Sequence, residues 1–171
     1  MKKILTLFVA VLVATMTVSA KDYKHSIGLV GGLGIGAQYK TMVTDHFTII
    51  TELGYFVCPK DSKTWYYRGV PIANGVFAYQ TKTLAEGEGI KLSVYAGTQV
   101  KLGYVFEGHV GKGLFGAGGV VGFEGNIIHS PVAFSLDFRP GYAMTFYKVG
   151  YGMDTYHMFD YSINLGIRYT L

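Results

Sequence analysis

The sequence predicts an all-β protein, folded as a single antiparallel, up-and-down transmembrane β-barrel of about eight strands. The first observation behind this prediction is the alternation in residues 90–106. Every even position there is apolar or small, and every odd position from 91 to 103 is polar, glycine or tyrosine. A period of two belongs to a β-strand and not to a helix. The second observation is the composition, because 24 Gly, 14 Tyr and 11 Phe with only 15% charged residues suit a barrel embedded in lipid.

Similar alternating runs recur along the chain and give the predicted strand count. Seven runs are clear, at residues 27–39, 47–57, 74–84, 90–106, 115–126, 132–146 and 161–171. Single-chain bacterial barrels use an even number of strands, so the short and ambiguous run 64–70 is taken as the eighth. Residues 58–62 are predicted to turn. Eight strands place both termini on the periplasmic side and the loops at 108–112 and 150–160 outside the cell.

The glycine-rich stretch 31–36 could be mistaken for a nucleotide-binding loop. That motif requires a following helix and an acidic residue about 20 positions further on. The alternation instead continues through Lys40, so we interpret these glycines as the inner face of one continuous strand, 27–39, in a narrow barrel. Pro140 lies within another run, where its missing N–H predicts a bend or a bulge.

The N-terminal segment has the pattern of a cleavable signal peptide over residues 1–20, which leaves residues 21–171 as one barrel domain. Lys2 and Lys3 precede an apolar run that ends in small residues. These two lysines also supply half of the formal net charge of +4, so nothing in the charge favours nucleic acid. Cys58 is the only cysteine, and no pattern marks it as reactive. Beyond residue 20 no apolar stretch is long enough for a transmembrane helix.

The polar face of the strands is predicted to point into the barrel, and the apolar face is predicted to meet lipid. The polar face is mainly Gly, Ser, Thr, Asn and Gln with isolated charges, which is too sparse to cover the outside of a soluble barrel. Aromatic residues lie near both ends of the apolar runs, where the interfacial girdles of a membrane barrel belong. Inward charges are expected to pair across the lumen, since an unpaired charge there is costly. The predicted structural ion-pair network of the lumen consists of Glu52, Lys82, Lys101, Glu124, Asp137, Arg139 and Arg168.

The signal peptide, the alternating strands and the closing stretch 161–171 together resemble small bacterial outer-membrane β-barrels of the OmpX and OmpA-barrel type. Ser135–Pro140 and the ending Ile167-Arg168-Tyr169 are similar to segments of that class. The resemblance is architectural and covers residues 21–171. It implies insertion in the outer membrane of a Gram-negative envelope, contact with membrane lipid and lipopolysaccharide, and recognition by the barrel-assembly machinery. Such proteins usually end in an aromatic residue, and Leu171 departs from this pattern.

Three functions are compatible with these predictions. The first is a non-enzymatic structural or surface-interaction protein of the outer membrane, with a lumen filled by side chains. The second is an outer-membrane enzyme that modifies lipid A, which needs a serine activated by an oriented histidine. His129 and Ser130 are adjacent, but extended neighbours point to opposite faces and Asp137 belongs to the inner face. The third is a secreted, lipocalin-like carrier with an apolar interior.

No catalytic, cofactor-binding or metal-binding set emerges from the sequence. The five histidines lie far apart, with no i, i+2 or i, i+4 pair. We therefore expect no enzyme activity, no cofactor and no metal ion. The oligomeric state is left open by the sequence.

Overall fold

The structure, a computed structural model, describes residues 23–61, 64–107, 110–149 and 152–171. The predicted signal peptide 1–20 lies outside the described residues. The described part of the chain contains no helix that is long and apolar enough to cross a membrane. It forms eight long β-strands and one strand of two residues: β1 (His25–Gly31), β2 (Gly34–Met42), β3 (Phe47–Asp61), β4 (Thr64–Gln80), β5 (Ala85–Glu86), β6 (Ile90–Glu107), β7 (Val110–Ile127), β8 (Val132–Val149) and β9 (Gly152–Thr170).

The eight long strands form a closed antiparallel barrel. Long strands that follow one another in the chain pair with each other; β4 therefore pairs with β6 from Ile72↔Gly103 to Gln80↔Tyr95. The barrel closes because β1 pairs with β9, from Ser26↔Thr170 to Gly31↔Leu165. The short β5 only extends the β4–β6 connection along the start of β6. The all-β, eight-stranded, up-and-down architecture predicted from the sequence is confirmed.

The predicted continuous strand 27–39 is wrong, because the chain turns between Gly31 and Gly34. β1 and β2 are a hairpin in which Val30 lies opposite Gly36, and the Gly32 N–H donates to the Gly34 carbonyl oxygen at 3.0 Å. Paired positions in this hairpin share the same parity, so the alternation passes through the turn without changing phase. Glycine is needed at Gly34 because an added Cβ would lie 2.4 Å from the carbonyl oxygen of Tyr55.

A second prediction is also wrong, because residues 64–80 are one strand and not a short strand followed by another. β4 pairs with β3 through Tyr55↔Pro71 without interruption. A proline is tolerated at this position because the ladder with β6 begins only at the next residue, Ile72. The two errors cancel in the strand count. The predicted run 27–39 contains two strands, β1 and β2, whereas the predicted runs 64–70 and 74–84 both belong to β4.

The barrel has two different ends. At the terminal end the chain enters at His25 and leaves at Thr170; at the opposite end, which we call the hairpin end, three hairpins extend beyond the β1–β2 turn. The loops predicted at 108–112 and 150–160 and the turn predicted at 58–62 are largely strand, paired as far as Glu107↔Val110, Val149↔Gly152 and Asp61↔Thr64. Backbone hydrogen bonds between strands do not depend on an apolar face. The strands therefore continue beyond the residues in which apolar and polar side chains alternate.

Pro140 interrupts a ladder without shifting its register. Pairing between β7 and β8 stops at Gly118↔Gly141 and resumes in the same register at Val121↔Phe138. A bulge would have changed the register by one residue. The missing N–H of the proline therefore produces a local gap in the β7–β8 ladder and no bulge.

Burial alternates along the described parts of the eight long strands, in the phase that the sequence predicts. The buried charged and amide side chains point to the barrel axis, and most of the large aliphatic and aromatic side chains point away from it. A smaller apolar cluster that includes Ile50, Val76 and Val120 also points inward. On β6, for example, Tyr95 and Gln99 are buried, whereas Val100 and Leu102 are exposed. The polar face therefore lines the lumen.

Candidate functional site

The lumen is filled by large polar side chains that bond to one another across the barrel. An eight-stranded barrel has an interior just wide enough for side chains. Seven of its largest fully buried residues are polar, charged or tyrosine: Gln38, Lys40, Glu52, Tyr95, Glu124, Arg139 and Arg168. These residues come from six strands, so the bonds between them tie the wall together.

The first group, the Glu124 cluster, lies towards the terminal end. Lys40 and Arg168 both contact the same carboxylate oxygen, Glu124 Oε2, and the Lys40 Nζ lies 2.6 Å from it. Gln80 accepts a hydrogen bond from Lys40 at 2.6 Å and donates to Glu124 Oε1 at 3.0 Å. Tyr23 also donates to Glu124. Two buried cations thus depend on one buried carboxylate.

The second group, the Arg139 cluster, lies nearer the hairpin end. The Arg139 guanidinium donates two hydrogen bonds to Glu52, at 2.6 and 2.8 Å, and two to Asp137, at 2.6 and 2.9 Å. Tyr95 and Asn164 donate to Asp137 at 2.7 and 3.1 Å. Bidentate pairs of this kind fix geometry as well as charge.

Gln38 connects the two clusters into one network. Its amide nitrogen donates to Glu52 at 2.6 Å, and its amide oxygen accepts from Arg168 at 2.6 Å. The clusters together contain three cations (Lys40, Arg139 and Arg168) and three carboxylates (Glu52, Glu124 and Asp137), so their formal charges cancel. The arrangement suits a rigid filling of the lumen, since each buried charge has an opposite partner.

The structure brings together most of the residues of the predicted lumen network. Glu52, Asp137 and Arg139 share one cluster, and Glu124 and Arg168 share the other. Lys101 contacts Asp160 at 2.5 Å, near the hairpin end. The placement of Lys82 in the lumen is wrong, because β4 ends at Gln80 and Lys82 is exposed in the connection that follows.

Several members of the network were missed from the sequence. Lys40 lies two residues beyond Gln38, in the same inward phase, and extending that alternation could have identified it. Tyr95 also lies in the inward phase, between Ser93 and Gly97, but a tyrosine at such a position does not by itself indicate a lumen role. Asp160 lies in a segment without clear alternation, so no signal identified it.

A glycine makes room for the tyrosine of the Arg139 cluster. A Cβ added at Gly122 would lie 2.6 Å from the Asp137 Cβ and 2.7 Å from the Tyr95 Cζ. We therefore expect Gly122→Ala to lower the free energy of unfolding by about 1–3 kcal/mol, the usual cost of overpacking a filled interior. Urea titration of the folded barrel measures this. Gly75→Ala is the matched control, because a Cβ there meets nothing within 4 Å; equal losses for the two variants would contradict the explanation.

Tyr23 closes the lumen at the terminal end. It lines a cavity of about 550 Å³ there and contacts Glu124 at the inner side of that cavity. Burial, together with the charge of Glu124, raises the pKa of the Tyr23 hydroxyl well above its usual value. The hydroxyl therefore stays protonated near neutral pH and can donate to the carboxylate.

The three residues considered for hydrolytic chemistry, His129, Ser130 and Asp137, do not form one site. His129 and Ser130 form the β7–β8 connection at the terminal end, where the Ser130 N–H donates to the Ile127 carbonyl oxygen at 3.2 Å. Asp137 lies inside the barrel and is bonded to Arg139 and Tyr95. Among the described residues there is no group of three or more His, Cys, Asp or Glu side chains that could hold a metal ion.

Comparison with known proteins identifies no relative of this chain. No family model matches the chain, and no curated protein or solved structure shows significant similarity to it.

Proposed function

We propose that the chain is an integral β-barrel protein of a Gram-negative outer membrane, with a side-chain-filled lumen and a non-enzymatic structural or surface-interaction role. The observation that carries the proposal is the inverted arrangement of side chains. Charged residues such as Arg139 and Glu124 are fully buried, while large aliphatic or aromatic residues on every long strand are exposed. Soluble monomers rarely expose contiguous apolar patches larger than a few hundred Å², and here the apolar surface encircles the barrel.

The outer aromatic residues support a membrane position. Four strands carry two outward aromatic residues eight positions apart: Phe47 and Tyr55, Phe115 and Phe123, Phe134 and Tyr142, and Tyr161 and Tyr169. Eight residues of strand span about 26 Å, and the tilt of barrel strands reduces this to roughly 20 Å of height. An apolar band flanked by aromatic girdles is about 25 Å tall in known membrane barrels. The spacing therefore fits a bilayer.

The polar interior does not favour a carrier function. A lipocalin-like carrier needs an apolar cavity for its ligand, whereas the two ionic clusters and Gln38 occupy this lumen. The extended hairpins are where such a barrel would meet partners, since loops on a rigid scaffold commonly carry binding. Membrane lipid, lipopolysaccharide and the barrel-assembly machinery are the partners that this proposal implies.

Cell fractionation combined with gel mobility tests the proposal. We expect the protein, expressed with its N-terminal segment in a Gram-negative host, to sediment with the outer membrane and to resist extraction by carbonate. Unboiled samples should migrate differently from boiled ones, because a closed barrel stays folded in detergent. Recovery in the soluble periplasm or medium, with no mobility shift on boiling, would contradict the proposal.

A further inference from the structure

The two ionic clusters of the lumen carry opposite net charges. The Glu124 cluster holds two cations, Lys40 and Arg168, against one carboxylate, so its formal charge is +1. The Arg139 cluster holds one cation against two carboxylates, so its formal charge is −1. The lumen is neutral as a whole, but it is positive towards the terminal end and negative towards the hairpin end.

The positive charge of the Glu124 cluster is not neutralised inside the barrel. Arg168 is 1% exposed, and its remaining hydrogen bonds go to the neutral groups of Gln38 and Ser135, at 2.6 and 3.2 Å. Its Nε has no partner among the described residues. The cluster therefore keeps an excess of positive charge in a place that water does not reach.

The cavity at the terminal end, which we call the terminal cavity, lies directly against this cluster. Tyr23 and Glu124 both line it. Its volume of about 550 Å³ lies within the range of sites for small molecules, about 300–1,000 Å³. The terminal cavity is therefore large enough for a small organic ligand.

Three lysines also line the terminal cavity: Lys24, Lys82 and Lys91. Lys24 and Lys82 are exposed, and their ammonium groups have no partner among the described residues. Lys91 lies 3.4 Å from Glu86. Two lysine side chains are thus available to contact a ligand directly.

Cations outnumber carboxylates around the terminal cavity. The three lysines and the two buried cations of the Glu124 cluster face the carboxylates of Asp45, Glu86 and Glu124. A cleft with an excess of one sign and low-dielectric walls attracts ions of the opposite sign. A buried unit charge acts through space, and at an effective dielectric of about 20 it changes the affinity of an ion roughly 10 Å away by about tenfold.

The polar groups of the lining suit an anion as well. Thr83, Ser130 and Thr170 bring hydroxyl groups to the terminal cavity. A hydroxyl group can donate a hydrogen bond to a phosphate or carboxylate oxygen. Charge and hydrogen-bonding capacity therefore favour the same class of ligand.

We propose that the terminal cavity binds a small oxyanion, that is, a molecule with phosphate or carboxylate groups. Lys24 and Lys82 contact it directly, and the Glu124 cluster attracts it from inside the lumen. The inference goes beyond the proposed function and does not depend on the membrane location. If the barrel spans the outer membrane as proposed, the terminal cavity faces the periplasm, and the oxyanion is either a soluble molecule or the head group of an inner-leaflet lipid.

Amide NMR of the protein in phosphatidylcholine nanodiscs, in a buffer free of phosphate and carboxylate, tests this proposal. The probe is inorganic pyrophosphate, and glucose and calcium chloride are the neutral and cationic comparison probes in separate titrations. We expect pyrophosphate to shift the amide signals of Thr83 and Thr170 saturably and to leave that of Lys101, near the hairpin end, unchanged. Glucose and calcium should produce no saturable shift at the terminal cavity.

Nanodiscs that also contain phosphatidylglycerol distinguish the two sources of the oxyanion. If the same amide signals shift without added pyrophosphate, the ligand is a lipid head group. If they shift only with pyrophosphate, the ligand is a soluble anion. Raising the salt concentration should weaken binding in both cases, because the attraction is electrostatic.

Charge variants separate the exposed lysines from the buried cluster. Replacing Lys24 and Lys82 together by glutamine should weaken the apparent affinity for pyrophosphate by about tenfold or more. Lys112→Gln is the matched control, because it removes a lysine near the hairpin end and should leave the affinity unchanged. Lys40→Met makes the Glu124 cluster neutral without touching the ligand, and it should weaken the affinity by about tenfold. Arg168→Met should have the same effect.

The absence of saturable shifts with pyrophosphate, or equal shifts with glucose, would overturn the proposal. It also fails if folded Lys40→Met and Arg168→Met bind pyrophosphate as the natural protein does, because exposed lysines alone would then attract the anion. The mobility shift on boiling shows which variants are folded, and two cluster variants allow for the loss of one. Failure of the membrane location is read separately from cell fractionation and does not change these results.

Discussion

Replacing Glu124 by alanine is expected to lower the free energy of unfolding by about 3–5 kcal/mol, the typical cost of removing one partner from a buried ion pair. Lys40 and Arg168 both contact the Glu124 carboxylate, and all three side chains are fully buried. The substitution leaves two cations in the lumen beside neutral groups, those of Tyr23, Gln38, Gln80 and Ser135. Equilibrium unfolding in urea, from detergent or vesicles, measures the change.

An exposed pair provides the control for this prediction. Glu86 and Lys91 lie 3.4 Å apart at the terminal end, and both are substantially exposed. Glu86→Ala should change the free energy of unfolding by no more than about 1 kcal/mol, as is usual for surface pairs. If Glu124→Ala costs no more than Glu86→Ala, the lumen network does not stabilise the barrel in the way described.

Replacing Leu165 by arginine is expected to cost about 2–4 kcal/mol in a bilayer, the cost of arginine near the midplane on the lipid face of a barrel. Leu165 is 60% exposed and lies midway between Tyr161 and Tyr169 on β9. In water, an exposed leucine of a folded strand can become arginine at little cost. The penalty therefore arises only if the outer wall faces acyl chains.

Leu84→Arg is the matched control for this substitution. Leu84 is 63% exposed, but it lies in the connection after β4 at the terminal end. Near an interface the cost of arginine falls to about 0–1 kcal/mol. Equal effects of Leu165→Arg and Leu84→Arg on unfolding from vesicles would indicate that both leucines face water, and the membrane assignment would be withdrawn.

The sequence predicted the fold class and the two faces of the wall because one physical constraint repeats on every strand. A narrow barrel needs inward residues that are small or can pair, and its outward residues follow at every second position. This constraint leaves no signal in the sequence at the positions where the chain turns. The β1–β2 hairpin was missed because Val30 opposes Gly36 at equal parity, and Pro71 suggested a break that the backbone of β4 does not make.

The lumen network was only partly predictable for a related reason. Alternation assigns a residue to the inner face but does not say which inward residues are neighbours across the barrel. The contact of Glu52 with Arg139 depends on the curvature and closure of the sheet, and so does the double role of Gln38. Lys82 was misplaced because its strand ends two residues earlier, at Gln80.

Contacts between lipid and side-chain methyl groups provide the most direct test of the outward-facing apolar wall. Methyl NMR of the protein in lipid nanodiscs detects cross-relaxation between lipid acyl protons and individual residues. We expect strong acyl-chain signals for Leu53, Val100, Leu136 and Leu165, and none for the inward methyl groups of Val76 and Val120. Acyl-chain signals at Val76 and Val120, or their absence at the four outward residues, would contradict the account.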